Sequence, residues 1–211
     1  MLLGLEQVQD GKVLIDGVDV TELDRVHCFS TIGQESDLFR GLTLVDNVKY
    51  ATDSPLDSQI SNRALTSAAE DAQLESVVSR LQGGWSASVG PRGRLLSGGE
   101  RQRVCLARAL YREEVGSGIL LMDEATSSLD ARTENLVSQA IMKRVRLGAT
   151  AVIVAHRLTS VQNCDVIIVL RDGRVVGHGT HEELLQAGGW YAEAWRLQSE
   201  SRQLASLENV D

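Results

Sequence analysis

The sequence predicts an α/β fold built on a mainly parallel sheet, and two observations in its second half carry that prediction. Apolar segments suited to strands alternate there with segments of helical periodicity, which favours parallel strands joined by helical crossovers. The first of these strands has no polar position before its end, which is typical of a strand covered on both faces. The expected strands are residues 119–122, 151–155 and 166–170, and the expected helices are 97–111 and 133–145.

The first half of the chain contains shorter elements and one long helical stretch. Residues 8–15 predict two short strands around a hairpin turn at Gly11-Lys12, and Asp16-Gly17 marks a second turn. A further strand is expected at residues 28–32. Residues 42–80 show helical periodicity and predict a packed helical region.

Polar side chains follow three of the predicted strands. Gln34 follows the first, Asp123 and Glu124 follow the second, and His156 follows the third. In open α/β sheets, ligands bind beyond the carboxyl ends of the strands. Turn-forming residues such as Gly, Asn or Ser would be expected there if the positions were only structural. The sequence therefore predicts a site at this edge of the sheet.

Composition excludes several classes of function. Lys and Arg number 21 and Asp and Glu number 29, so the net charge is −8 and binding of nucleic acid over a broad surface is not expected. The three cysteines are far apart and show no metal-ligand spacing, which excludes a disulfide framework or zinc site. No apolar run approaches the roughly 20 residues that a membrane helix needs.

The octapeptide Leu96-Ser97-Gly98-Gly99-Glu100-Arg101-Gln102-Arg103 predicts a helix start that can bind an anion. Ser97 can cap the helix, and Glu100 three residues later can close a capping box. Gly98 and Gly99 leave backbone N–H groups open to a ligand. Phosphate is a common ligand of such a helix N-terminus.

This octapeptide resembles the signature motif of ATP-binding cassette (ABC) ATPases, and four further segments agree with that family in order and spacing. The resemblance implies a P-loop NTPase (RecA-like) core with a mainly parallel sheet and an inserted helical subdomain. The segments resemble the Q-loop at Gly33-Gln34 with Leu38-Phe39, Walker B at 119–124, the D-loop at 125–130, and the switch-histidine loop at 155–158.

The resemblance also implies a role for each site residue. Asp123 would hold Mg²⁺, with Gln34 near the metal, and Glu124 would be the general base for the attacking water. His156 would contact the γ-phosphate. Several residues would meet ATP bound to a second cassette, with the D-loop aspartate at the same dimer seam: Ser97, Gly98, Gly99, Glu100 and Asp130.

The implied protein is the ATP-hydrolysing motor domain of an ABC exporter that couples hydrolysis to transmembrane transport. Expected partners are a second cassette, as homodimer or heterodimer, and a transmembrane domain, but not nucleic acid. As part of an integral membrane transporter, the cassette would be membrane-associated and face the cytosol or mitochondrial matrix. The tail at 188–198 resembles half-transporters of the mitochondrial and heavy-metal-tolerance type. The implied division is a partial ATPase core at 1–41, a helical subdomain at 42–116, the remaining core at 117–187 and a helical tail at 188–211.

The sequence departs from the family in two places. No G-x-x-x-x-G-K-[ST] loop is present, since the Gly-Lys pair at Gly11 is followed by Val13 and has Glu6 where the first glycine would stand. We therefore expect a chain that starts after the P-loop, lacks the first strands, exposes apolar surface and does not hydrolyse ATP by itself. Pro91 stands in Val-Gly-Pro-Arg-Gly, where exporters usually carry Glu, which affects the expected coupling to the membrane domain.

Two other functions are compatible with the sequence. One is a catalytically inactive cassette fragment that acts as an interaction or regulatory partner. The other is a soluble ABC ATPase of DNA repair or translation, which the acidic balance disfavours. Other charged residues have ordinary expected places: His27, His178 and His181 on the surface or in turns, Glu182-Glu183 at a helix start, and Arg101 and Arg103 in solvent or bridging carboxylates.

Overall fold

The computed structural model describes residues 8–50, 58–116 and 118–208, together with Leu3 and Glu6. The chain divides into two compact units, Met1–Val154 and Ala155–Asp211. Most of residues 1–7 lie outside the described residues.

The described part of the first unit alternates strands and helices. Its helical layer is inserted between the strand β3 and the strand β4. In chain order its elements are β1 (Leu14–Ile15), β2 (Val18–Asp19), α1 (Arg25–Cys28), β3 (Phe29–Ile32), α2 (Leu44–Val48), α3 (Ser58–Asp71), α4 (Glu75–Arg80), α5 (Gly98–Val115), β4 (Ile119–Asp123), α6 (Ala131–Arg146) and β5 (Thr150–Val154).

Strands β3, β4 and β5 form a parallel sheet in that order, which confirms the predicted architecture. Ile32 pairs with Met122, and Asp123 pairs with Val154, so the carboxyl ends of the three strands lie at one edge. The long helix α5 packs against β3, β4, α2 and α3. Its buried side chains include Val104, Leu106 and Leu110, and they form the centre of the hydrophobic core.

The hairpin prediction at Gly11-Lys12 was wrong. Leu14–Ile15 pairs with Val18–Asp19, so the turn lies at Asp16-Gly17, which had been expected to be a separate turn. Asp16 and Gly17 have φ of 50° and 82°. Two successive positive φ angles suit the twist of a two-residue hairpin, and Asp-Gly is a favoured dipeptide for that turn.

The prediction of strands buried on both faces was also wrong for the described residues. Along β4 the buried residues Leu120 and Met122 alternate with half-buried ones, and on the edge strand β5 Val154 is 56% exposed. β4 is therefore buried on one face and half-buried on the other, whereas β5 is half-buried on one face and exposed on the other.

Arg144 of α6 joins three helices of the first unit through a largely buried ion cluster. Its guanidinium pairs with Asp71 of α3 at 2.7 Å and with Glu113 and Glu114 of α5. It also donates to the carbonyl of Leu110 and to the hydroxyl of Ser67. We call the arginine and its three carboxylates the Arg144 cluster. It connects the C-terminal ends of α3, α5 and α6.

The described part of the second unit contains a hairpin and two helices: β6 (Ile167–Arg171), β7 (Arg174–Gly179), α7 (His181–Ala187) and α8 (Gly189–Glu208). The predicted strand at 166–170 is present as β6, which pairs antiparallel with β7. Thr180 caps α7 and Glu183 closes the capping box, so the predicted helix start is confirmed. No helix within the described residues is both long and apolar enough to cross a bilayer.

Candidate functional site

The signature octapeptide forms the predicted capped helix start. The hydroxyl of Ser97 accepts from the N–H of Glu100 at 3.2 Å, and the carboxylate of Glu100 accepts from the N–H of Ser97 at 2.8 Å. Arg80 of α4 donates to the other carboxylate oxygen at 2.7 Å. Burial alone would raise the pKa of Glu100, but these hydrogen bonds from Ser97 and Arg80 outweigh it and leave the pKa lowered. Glu100 is therefore a charged structural residue of the helix start.

The two glycines of the signature face different surroundings. A Cβ built on Gly98 would meet no atom closer than 4.0 Å, and Gly98 is exposed. A Cβ built on Gly99 would lie 3.1 Å from the backbone oxygen of Ser128. Gly99 therefore permits a close approach between the start of α5 and the loop that follows β4, while Gly98 leaves the helix end open.

Asp123 and Glu124 lie at the carboxyl end of β4. Asp123 is exposed, and Glu124 is half-buried with φ of +50°, in the left-handed region that side chains other than glycine seldom adopt. Such a backbone costs about 1–3 kcal/mol and persists only where the surroundings hold it. The N–H of Glu124 donates to the carbonyl of Val154 at 3.0 Å, which fixes the turn to the neighbouring strand.

Gln102 is the residue that joins the signature helix to this turn. It is 1% exposed, and its amide nitrogen donates to the carbonyl of Glu124 at 3.2 Å. Its amide oxygen accepts from the N–H of Ser128 at 2.9 Å. Gln102 lies inside the octapeptide but is not among the predicted site residues. A polar residue at a core-facing position of an amphipathic helix was the available signal, since buried polar groups need partners.

Asp130, expected at a dimer seam, caps α6. Its carboxylate accepts from the N–H groups of Arg132 and Thr133 and from the hydroxyl of Thr133 at 2.7 Å. The backbone and side-chain hydrogen bonds from Thr133 lower the pKa of Asp130. The carboxylate is exposed. Because the carboxylate stays exposed while it caps α6, the cap is compatible with the expected place of Asp130 at a dimer seam.

Gln34 lies beyond the end of β3 and is exposed. The loop after it is held by Asn47 of α2, which is fully buried and bonds both the N–H and the carbonyl of Phe39. Arg108 of α5 adds bonds to Asn47 and to the carbonyl of Asp37. The loop is thus anchored to α2 and α5 while Gln34 remains accessible.

His156 belongs to the second unit and is exposed. Its carbonyl accepts from the amide nitrogen of Gln198 on α8 at 2.9 Å, and the N–H of Leu158 donates to the amide oxygen of the same glutamine at 3.0 Å. Gln198 is a second residue that the sequence analysis missed. Gln198 lies 42 positions after His156, so no local sequence pattern indicates that the two residues are in contact.

The predictions for Arg101 and Arg103 were wrong, because both donate to backbone carbonyls. Arg101 bonds the carbonyl of Leu96 at 2.8 Å, and Arg103 bonds that of Gln73 at 2.6 Å, beyond the end of α3. Unpaired carbonyls at helix ends and turns are favourable acceptors for a guanidinium. Pro91 is exposed and begins a 3-10 turn, Pro91–Gly93.

The donor set fits magnesium in a nucleotide complex. Asp123 offers a carboxylate and Gln34 an amide oxygen, both exposed at adjacent strand ends. Mg²⁺ prefers oxygen ligands and is usually held by one or two carboxylates together with water and substrate phosphates. Among the described residues, no group of three or more His, Cys, Asp or Glu side chains could hold a metal by itself. The donors therefore suit a metal that arrives with phosphate.

The comparisons with known proteins identify the family. The model of the ABC transporter family matches residues 1–127. The chain belongs to the ABC transporter family. A bacterial Atm1-family ABC exporter, solved with ATP bound, matches with a TM-score of 0.80 and 34% identity over 93% of this chain and 33% of that one. The P-loop NTPase fold of ABC ATPases, with its parallel sheet and helices, is thereby confirmed for this ABC chain.

Three curated relatives are similar to this ABC chain over nearly all of its length. The heavy metal tolerance protein of Schizosaccharomyces pombe is 39% identical over 94% of this chain and 23% of its own length. The mycobactin import ATP-binding/permease protein IrtB of Mycobacterium tuberculosis is 42% identical over 95% of this chain and 34% of its own length. The mitochondrial potassium channel ATP-binding subunit of Xenopus tropicalis is 38% identical over 93% of this chain and 28% of its own length. The chain thus spans 23% to 34% of the length of these relatives.

Proposed function

We propose that this ABC chain contributes the Walker B, Q-loop, signature and D-loop parts of an ATP-hydrolysing cassette that drives transmembrane export. The cassette would work as a dimer, and each ATP would lie between Walker B of one subunit and the signature helix of the other. Its membrane domain would place it at a membrane, facing the cytosol or the mitochondrial matrix. ATP is the substrate, and ADP and phosphate are the products.

The observation that carries the proposal is the arrangement around Gln102. This buried side chain bonds Glu124 and Ser128 and so fastens the signature helix to the turn that bears the candidate general base. The open helix end at Gly98 is exposed on the same helix. An open position at Gly98 on a helix N-terminus, an exposed carboxylate at Asp123 and a left-handed backbone at Glu124 together suit the binding of a nucleotide's phosphates.

The proposed roles follow from the chemistry of each group. Glu124 would take a proton from the attacking water, and the backbone held by Gln102 and Val154 would keep its carboxylate in place. Ser97, Gly98 and Gly99 would bind the γ-phosphate of the partner's ATP through the helix N-terminus. The carboxylate of Glu100 would orient that helix end through Ser97 and Arg80.

Magnesium would be held by Asp123 and Gln34 together with the phosphates of ATP. Bound there, it would neutralise charge on the phosphoryl oxygens. His156 would donate a hydrogen bond to the γ-phosphate. The neutralisation of charge and the positioning of water, which supply most of the catalysis in phosphoryl transfer, would thus be divided among separate loops.

Hydrolysis is tested in a chimera. The aligned stretch of the Atm1-family exporter is replaced by this chain, and ATP hydrolysis and ATP binding are measured. We expect hydrolysis to fall by about 100-fold or more in Glu124→Gln, which removes the general base, while ATP binding persists. The matched control is Glu70→Gln, on an exposed face of α3, and it should leave the rate unchanged. Equal rates for the parent and Glu124→Gln would contradict the proposed role.

A second proposal concerns ATP binding and hydrolysis by the 211-residue chain on its own. It contains no G-x-x-x-x-G-K-[ST] sequence to cradle the phosphates, and we propose that alone it binds ATP weakly and does not hydrolyse it. This is also the property expected of an inactive partner cassette. Calorimetric titration with MgATP tests it, and tight magnesium-dependent binding would exclude it.

A further inference from the structure

The helix α8 holds the segment that carries His156. The amide nitrogen of Gln198 donates to the carbonyl of His156, and the amide oxygen accepts from the N–H of Leu158. The two bonds lie on either side of Arg157 and engage only main-chain atoms. They therefore fix the path of the backbone from His156 to Leu158.

Gln198 is itself held in place by the packing of α8. Tyr191 is 3% exposed and its hydroxyl lies 2.8 Å from Nδ1 of His181 on α7. The ring of Trp195 lies 4.3 Å from the ring of His181, centroid to centroid. Tyr191, Trp195 and Gln198 are spaced by four and three residues, so they share one face of the helix. The same face that docks α8 on α7 thus presents the glutamine to the His156 segment.

We propose that Gln198 is a positioning residue for His156, and that α8 is the element through which the position of this histidine is set. The inference rests on the proposed function, in which His156 contacts the γ-phosphate of ATP. Gln198 acts only through the loop and touches no reacting atom. A displacement of about 1 Å at such a contact can lower the rate about 100-fold. Two hydrogen bonds that hold the backbone at His156 can therefore have a measurable effect on the rate.

The clamp is tested first by NMR in the 211-residue chain. Gln198→Met removes both bonds with little change in side-chain length. We expect the N–H of Leu158 to exchange about 10-fold faster and the resonances of His156 to shift, while the N–H of Leu184 in α7 keeps its protection. Glu200→Met, on an exposed position of the same helix, is the control and should change none of these.

A second variant separates the two bonds. Gln198→Glu keeps an oxygen acceptor for the N–H of Leu158 but has no donor for the carbonyl of His156 at neutral pH. We expect Leu158 to keep its slow exchange in this variant while the His156 resonances shift. If Gln198→Met does not fold, this variant alone tests whether Gln198 holds the backbone at His156.

The consequence for the reaction is tested in the chimeric ATPase described above. Both Gln198 variants should lower kcat about 10-fold at an unchanged KM for ATP, because substrate binding through other loops is intact. Unchanged exchange at Leu158 in Gln198→Met, or loss of protection at Leu158 and Leu184 by the same factor, would overturn the proposal, as would an unchanged kcat. An inactive parent chimera would instead contradict the proposed function, and the NMR result would still decide whether Gln198 holds the loop.

Discussion

Replacing Arg144 by Met should destabilise the first unit strongly, because it leaves three carboxylates facing one another without their cation. The Arg144 side chain is 10% exposed, and those of Asp71, Glu113 and Glu114 are 19%, 14% and 29% exposed. Removing one partner of a buried ion pair costs about 3–5 kcal/mol. Because the carboxylates keep some contact with water, we expect a loss of about 3 kcal/mol in the free energy of unfolding.

The assay is urea unfolding followed by tryptophan fluorescence. Trp85 packs against the core of the first unit, so Trp190 and Trp195 of the second unit are replaced by Phe to leave Trp85 as the reporter. With a slope of about 2 kcal/mol per molar urea, the midpoint should fall by roughly 1.5 M. The control is Arg146→Met, an exposed arginine two positions later in α6.

Two results would refute the reasoning about the Arg144 cluster. One is a loss below about 1 kcal/mol, which is the scale of an exposed ion pair and would match the Arg146 control. The other concerns the double variant of Arg144→Met with Glu113→Gln. It should recover at least about 1 kcal/mol, since one unpaired charge is gone. A double variant less stable than Arg144→Met would mean that lost packing, and not unpaired charge, explains the defect.

Three further predictions use the same structure. In urea unfolding, Gly98→Ala should stabilise α5 by up to about 1 kcal/mol, whereas Gly99→Ala should be less stable than Gly98→Ala because its Cβ meets a backbone oxygen at 3.1 Å. In an NMR titration, Thr133→Val should raise the lowered pKa of Asp130, and in the parent this cap is lost as the pH falls through that pKa. In hydrogen exchange, Thr180→Ala should weaken the start of α7 by about 1 kcal/mol, and Thr180→Ser should not.

The capped helix start at Ser97 illustrates what could be predicted from local pattern. A serine, two glycines and a glutamate in fixed spacing specify hydrogen bonds within four residues, and all of these formed as expected. The polar residues after β3 and β4 were likewise placed at one sheet edge by parallel pairing alone. Local rules sufficed because each depends on backbone geometry over a few residues.

Other features depend on partners far along the chain. Arg103 and Arg144 are ordinary polar residues of amphipathic helices by sequence, yet one bonds a carbonyl 30 residues away and the other pairs with Asp71 across 73 residues. The burial of the strands was misjudged for the same reason. An apolar strand can be buried on either face. Which face is buried depends on the elements that pack against it, and these are not specified by the strand itself.

The sequence by itself determined the family, the order of the motifs and the chemistry that each motif offers. Tertiary structure decided how these motifs are held: Gln102 on Glu124 and Ser128, and Gln198 on the segment of His156. The physical reason is that the amide of a glutamine can donate and accept hydrogen bonds with any suitably placed backbone or side-chain group. Its partners are chosen by the packing of the helix that carries it, so its role is visible only once that helix has docked.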